Sequence, residues 1–314
     1  MIRPIQWRLR PHCPGVPSRE APRVVVIVPD AGDRGVMQEV LDSIRRQRDI
    51  QFEAVALTES DPARGPYAAT DPHEAIAFFP IGLVHGLPTL YNLLLADTRA
   101  DCVFTLPPGA AFATEHGLAR MVEALDAEPT AALALTAASR TPLPAPGAPP
   151  ATRSTPRRAS SCRRSEPPNL FISLMRGSYA LRLGVLARCA AIRALGGLDP
   201  RFPTTGERLL WLRLLLTHDA LRVREPILTR MMSAASALDL PASGPASEEL
   251  AMLHELKSFA PPDPRVSHAI GRAIDRWIRH RAHSTPGQPW SRPRSAVPGY
   301  RRAPRVLVHG SGNA

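Results

Sequence analysis

The chain has 314 residues, of which 44% are hydrophobic, enough for one large or two small packed domains, which excludes a wholly disordered chain. A formal charge of +11 and a pI near 10.7 would ordinarily point to an anionic partner. The cationic side chains are almost all arginine, with Lys257 the only lysine, and alanine and proline abound; a GC-rich genome produces that pattern without any demand from function.

Four cysteines, Cys13, Cys102, Cys162 and Cys189, lie far apart and form no Cys-x-x-Cys pair. Neither a zinc site nor a disulfide framework is indicated, and a reducing cytoplasm fits best. No apolar run approaches the roughly 20 residues of a spanning helix, and the opening MIRPIQWRLRPHCPG lacks the apolar core of a secretion signal. The expected location is cytoplasmic, with any membrane contact peripheral and at the inner face.

Residues 1–22 are rich in Pro and Arg and read as an irregular arm. Val24 to Val28 is a run of five β-branched residues closed by Pro29, which suits a strand buried on both faces of a parallel sheet. The loop Asp30-Ala31-Gly32-Asp33 leads into a helix from about Gly35 to Arg48, with Val36, Val40, Leu41 and Ile44 on one face. A strand from Phe52 to Leu57 ends at Thr58-Glu59-Ser60. This strand-helix-strand unit places its loops where open α/β sheets bind ligands, so the fold class is α/β with a mixed, mostly parallel sheet.

Residues 61–80 show little periodicity, and His73 among them reads as a surface residue. Gly86 to Ala100 predicts an amphipathic helix, and Cys102 to Leu106 a strand followed by the loop Pro107-Pro108-Gly109-Ala110. A helix from about Glu115 to Leu125 puts Glu115 in its first turn, where an acid favours the dipole. Ala131 to Ala138 reads as another strand. Residues 140–168 then carry eight prolines and six arginines with almost no large apolar residue, the composition of a disordered insertion.

The stretch from Arg188 to Leu216 is the most informative. A helical run closes on Gly196-Gly197, Leu198-Asp199-Pro200-Arg201-Phe202 makes a turn, and Gly206-Glu207-Arg208 opens a helix containing Leu209, Leu210, Trp211 and Leu212. A carboxylate at the mouth of a buried helix is fixed in space. Ala220 to Met232 reads as a strand, and residues 246–258 and 265–283 as helices. The second sets Val266, Ile270, Ile274 and Trp277 on one face and Arg272, Arg276 and Arg279 on another, a pattern that fits packing on the sheet domain or contact with an anionic membrane. Residues 284–314 read as a disordered basic tail.

Together these motifs resemble the family 2 glycosyltransferases over residues 23–232. In that family the first strand is followed by Pro-Thr-Tyr-Asn, the next helix carries Leu-Asp-Ser, and the second strand ends in Asp-Asp-Gly-Ser. Here Pro29 and Leu41-Asp42-Ser43 match, while Thr58-Glu59 stand at the acidic pair. Asn92 matches the Asn of the family's Ala-Arg-Asn-x-Gly helix, with Tyr91 replacing the Arg. Gly196-Gly197-Leu198-Asp199 resembles Gly-Gly-Phe-Asp, and Gly206-Glu207-Arg208 stands at Gly-Glu-Asp, with Arg208 in place of the second acid.

The resemblance implies a GT-A fold as a single domain at 23–232, interrupted at 140–168, with a helical extension at 233–283. It implies an inverting transfer from a nucleotide-sugar donor to a sugar, lipid or protein acceptor, as in bacterial polysaccharide synthesis. Glu207 takes the place of the catalytic base, and Pro29, Asp30, Glu59, Asn92 and Arg208 become donor-binding candidates. Arg208 would offer a cation to the diphosphate, or else simply pair with Glu207; Glu59 would reach the base or ribose, or else be a solvated loop acid. The family uses Mg²⁺ or Mn²⁺ held by an Asp-x-Asp element, but Pro107 and Gly109 occupy those places, so no metal ligand is assigned. An inactive relative acting as a scaffold is the second reading. Nucleic-acid binding comes last, because no motif or interleaved aromatic supports it.

Overall fold

The computed structural model describes residues 22–29, 33–58, 76–80, 87–142, 162–165, 169–176, 183–232 and 246–282. Nine strands form one sheet. β1 (Val24–Val28) lies between β2 (Phe52–Thr58) and β4 (Cys102–Thr105), β3 (Ile76–Pro80) adds to β2, and these four run parallel. β8 (Leu183–Arg188) pairs antiparallel with both β4 and β6 (Ala131–Pro142). β6 runs parallel to β9 (Asp219–Met232), and β9 also takes β5 (Ala110–Phe112) and β7 (Cys162–Ser165) as antiparallel partners.

Every residue of β1 is buried, and the period of two splits its side chains between two layers. Val24, Val26 and Val28 face α1 (Arg34–Arg45) and α3 (Gly117–Asp126). Val25 and Ile27 face the other layer, built from α2 (Leu87–Asp97), α4 (Asn169–Arg176), α5 (Cys189–Ala194), α6 (Gly206–Thr217), α7 (Ala246–Phe259) and α8 (Pro264–Ala282). The C-terminal helices are thus part of the same core as α6. Val266, Ile270 and Ile274 of α8 are buried in it, so sheet-domain packing accounts for that apolar face.

The α1 layer shows what the Leu41-Asp42-Ser43 motif does here. Asp33 caps the helix by accepting the Val36 N–H at 3.0 Å. The Ser43 hydroxyl donates to the Val40 carbonyl at 2.7 Å and accepts the Phe112 N–H at 3.0 Å, and Gln47 Oε1 accepts the Leu118 N–H at 2.9 Å. These bonds fasten α1 to β5 and α3, so the motif acts structurally.

Three expectations change. The third helix starts at Gly117, leaving Glu115 outside it, where its carboxylate accepts from Arg48 Nε at 3.0 Å and its carbonyl from the Arg48 N–H at 2.8 Å. The stretch read as aperiodic ends in β3, a short edge strand. The region read as a disordered insertion contains the end of β6 and all of β7; β7 is Cys-Arg-Arg-Ser and gains its order from pairing with β9, which composition does not reveal. Among the described residues no helix is long and apolar enough to cross a membrane.

Candidate active site

The Gly-Gly turn is built to one geometry. α5 ends as the Gly197 N–H returns to the Ile192 carbonyl at 3.0 Å, with φ of +81° at Gly196 and +77° at Gly197, the left-handed close of a helix that glycine reaches without steric cost. At Gly197 a second constraint applies, since a Cβ would stand 2.3 Å from Asn92 Oδ1. That contact exists because the Asn92 amide is clamped on Leu198: Nδ2 donates to its carbonyl and Oδ1 accepts its N–H, both at 2.8 Å. Arg193 donates to the Leu95 carbonyl at 2.7 and 3.0 Å and to that of Thr98 at 3.0 Å, satisfying carbonyls that the end of α2 leaves open. The turn and α2 are therefore fastened to each other.

The turn then delivers α6. Leu198 and Phe202 are buried, and the Gly206 N–H reaches the Phe202 carbonyl at 2.9 Å. α6 is apolar almost all round, with Leu209, Leu210, Trp211, Leu212, Leu214, Leu215 and Leu216 buried, the pattern of a helix enclosed by other elements. Its charged residues Glu207, Arg208 and Arg213 each have a designated partner.

Glu207 sits in the first turn of α6, and its Oε1 accepts from Trp211 Nε1 at 3.2 Å, one helical turn on. Thr105, the last residue of β4, also hydrogen-bonds the carboxyl, and the Thr105 hydroxyl lies 3.4 Å from that of Tyr91. The Tyr91 ring meets Trp211 edge-on, centroids 6.4 Å apart. Burial pushes the Glu207 carboxyl up to about 7, against the smaller downward pull of Trp211 and Thr105. Burial, and then the nearby Glu207, hold the Tyr91 phenol well above its ordinary value, so Tyr91 stays a proton donor. The carboxyl thus stands at the carboxyl end of β4, next to β1, where the strand order reverses and open α/β sheets bind ligands.

Arg208 points elsewhere. Its Nη1 donates to Glu249 Oε1 of α7 at 3.1 Å, and both side chains are nearly buried. This pairing corrects the expectation of an ion pair with Glu207: the guanidinium goes to Glu249 instead. Glu248, its neighbour, accepts from the Thr204 N–H and hydroxyl at 2.8 and 2.7 Å and from those of Thr205 at 2.7 and 3.0 Å. Burial pushes the Glu248 carboxyl upward, but these donors outweigh it and hold it below its ordinary range. Glu255 takes Arg213 at 2.6 Å and Arg201 at 3.3 Å. Three α7 carboxylates therefore set the entry to α6, and Glu207 with it.

The donor edge is sparser. Pro29 closes β1, half-buried, on the edge that bears Thr105. Asp30, Glu59 and His73 lie outside the described residues. Pro107 and Gly109 form a tight turn, with the Ala110 N–H on the Pro107 carbonyl at 3.0 Å and Gly109 at φ +68°. Neither brings a side-chain oxygen, and among the described residues no group of three His, Cys, Asp or Glu gathers to hold a metal ion. Among the described residues, the Pro107 to Gly109 turn therefore brings no ligand for the Mg²⁺ or Mn²⁺ that the resemblance implies. The structure thus brings together Glu207, Trp211, Thr105 and Tyr91, and gives Asn92 a clamping role. Sequence reading noted Tyr91 only as a substitution and passed over Thr105; the spacing of Glu207 and Trp211 was the available signal.

No protein-family model matches the chain, and no curated protein matches it by sequence. Solved structures do. TarS of S. aureus, residues 1–349, in complex with UDP-GlcNAc superposes with a TM-score of 0.57 at 11% identity, covering 83% of this chain and 73% of that one. The same TarS portion in complex with UDP gives 0.56 at 11%, covering 83% and 72%. The mannosyltransferase PcManGT of Pyrobaculum calidifontis, in complex with GDP-Man and Mn²⁺, gives 0.53 at 16%, covering 85% and 77%. The fold is that of these glycosyltransferases.

Proposed function

We propose that this chain is an inverting glycosyltransferase that moves a sugar from a nucleotide-sugar donor onto an acceptor hydroxyl, with Glu207 as general base. The observation that carries this reading is a single carboxyl, raised to about 7 by burial, held by Trp211 and Thr105 at the carboxyl end of β4. The UDP-GlcNAc and GDP-Man complexes of proteins with the same fold support the donor class. Asp30 and Glu59, which follow β1 and β2 in sequence, are proposed to hold the nucleoside, and Pro29 to border it.

In the step itself, the Glu207 carboxylate takes the proton of the acceptor hydroxyl as its oxygen bonds to the anomeric carbon. The bond from that carbon to the diphosphate oxygen breaks, its electron pair leaving with the nucleoside diphosphate, and attack opposite the leaving group inverts the carbon. A base is most effective when its pKa lies near the working pH, which burial provides here. Trp211 and Thr105 fix the carboxyl so that its orientation is not lost to rotation, a positioning role that contributes through entropy.

A second reading has its own support. Asn92 and Arg208 are consumed by structural bonds, and Pro107 and Gly109 replace the acids of the donor loop, as expected of a relative that retains the fold as a binding scaffold. Titration calorimetry with UDP- and GDP-sugars, with and without Mn²⁺, separates the two. The enzyme reading predicts donor binding that Mn²⁺ does not strengthen, together with transfer that Glu207→Gln abolishes. No binding of any sugar nucleotide would establish the scaffold instead, and tight Mn²⁺-dependent binding would overturn the account of the Pro107 to Gly109 turn.

A further inference from the structure

A cleft of about 710 Å³ opens between α4 and α8, lined by none of Glu207, Trp211, Thr105 and Tyr91 but by Asn169 and Ile172 on one side and Pro264, Arg265, His268, Ala269, Arg272 and Arg276 on the other. The basic residues are spaced three, four and four apart, so they form one stripe along α8. This stripe is distinct from the buried Val266, Ile270 and Ile274 face. Arg265 is partly neutralised by Asp263 at 3.1 Å. Arg272 and Arg276 are exposed and have no carboxylate partner among the described residues; Asp275, on the same helix, does not line the cleft.

The lining is mixed: Ile172, Ala269 and Pro264 bring apolar surface, and Arg265, Arg272 and Arg276 bring guanidinium groups. A guanidinium fork matches phosphate oxygens in bidentate fashion, and the apolar side chains that share the lining suit carbon attached to that phosphate. Among the described residues no aromatic ring lines the cleft, so these residues give a nucleobase nothing to stack on. We propose that this cleft is a binding site for a phosphate ester with an apolar body, a phospholipid headgroup being the source that its open shape and mixed lining fit best. Arg272 and Arg276 hold the phosphate, His268 and Asn169 donate to it as well, and Ile172 and Ala269 meet the carbon chain.

The test uses the full chain, because the exposed Arg272 and Arg276 can be changed without touching the core. Sedimentation with vesicles of phosphatidylcholine alone, or with added phosphatidylglycerol, reports the lipid source; titration with glycerol 1-phosphate reports a free phosphate ester. Arg272→Glu with Arg276→Glu is compared with Arg34→Glu with Arg46→Glu, two exposed arginines at either end of α1 that do not line the cleft, which alters the net charge equally. The expected result is binding to the phosphatidylglycerol vesicles that the first pair weakens about tenfold or more and the second by less than about twofold. Glycerol 1-phosphate binding lost only in the first pair also supports the site and assigns it to a soluble ester. Equal losses in both pairs reduce the effect to overall charge and overturn the proposal, as does binding in neither arm. Single-stranded DNA binding that falls with the first pair as steeply as vesicle binding would move the site to nucleic acid and overturn it too.

Discussion

The corner around the Gly-Gly turn and the donor edge of the sheet both reach the carboxyl end of β4, yet they are built in opposite ways. In the corner, the Asn92 clamp, the Arg193 bonds to α2, the Arg208–Glu249 pair and the four bonds on Glu248 all bear on the placement of one carboxyl. The donor edge offers Pro29 and the Pro107 to Gly109 turn, without a side-chain acid among its described residues. A corner so over-determined tolerates the energetic cost of burying an acid, because rigid neighbours prevent it from swinging to water.

The largest expected effect is at the corner's centre. Glu207→Gln keeps the shape and an acceptor for Trp211, and should lower transfer by about 10²- to 10⁴-fold while leaving donor binding unchanged, as a lost general base does; activity assays alongside calorimetry check this. If transfer survives, the corner is a structural device and the contrast with the donor edge fails. With wild type, the rate should rise with pH through an inflection near 7, since the base acts only when deprotonated and burial sets its carboxyl at about 7.

Gly197→Ala comes next. It meets both a positive φ and a Cβ placed 2.3 Å from Asn92 Oδ1, and should cost about 2–4 kcal/mol of stability by chemical denaturation. Gly196→Ala faces the same φ with nothing within 4 Å and should cost about 1 kcal/mol. Equal costs would mean that the Asn92 clamp yields easily. Glu248→Ala leaves the Thr204 and Thr205 donors without their partner and should cost about 1–3 kcal/mol, with donor binding retained.

The smallest effect is a pH signature away from the corner. Burial, and then Asp97, push Glu53 from an ordinary 4.5 up to about 7. Its folded pKa lies above the unfolded value, so the stability it contributes is full below about 4.5 and is lost as pH rises through about 7. Glu53→Gln should therefore raise the melting temperature at pH 8 relative to wild type, and the gap should close as pH falls to about 5. A gap that persists at low pH would place the effect in packing instead.

Much of the fold was legible in the sequence because its signals are local. The β-branched run of β1 and the apolar stretch of α6 each report their own burial through period and composition. β3 and β7 were missed because each owes its order to a neighbour, β2 and β9, and neither has an alternating pattern of its own. The place of Glu207 in the first turn of an enclosed helix was legible, whereas the bonds of Asn92 and Arg208 were not. Their partners are 106 and 41 residues away, and no spacing rule reaches that far.

The sequence by itself therefore determined where the chain must turn and which helix is enclosed, since a left-handed residue and an apolar face are properties of a few consecutive side chains. Only the tertiary structure decided what the charged residues do. It set Glu207 against Tyr91, Thr105 and Trp211, where desolvation raises its proton affinity, and turned Arg208 away to a carboxylate on α7. Proton affinity and ion pairing depend on what surrounds a group in space, and that is fixed only when distant segments pack.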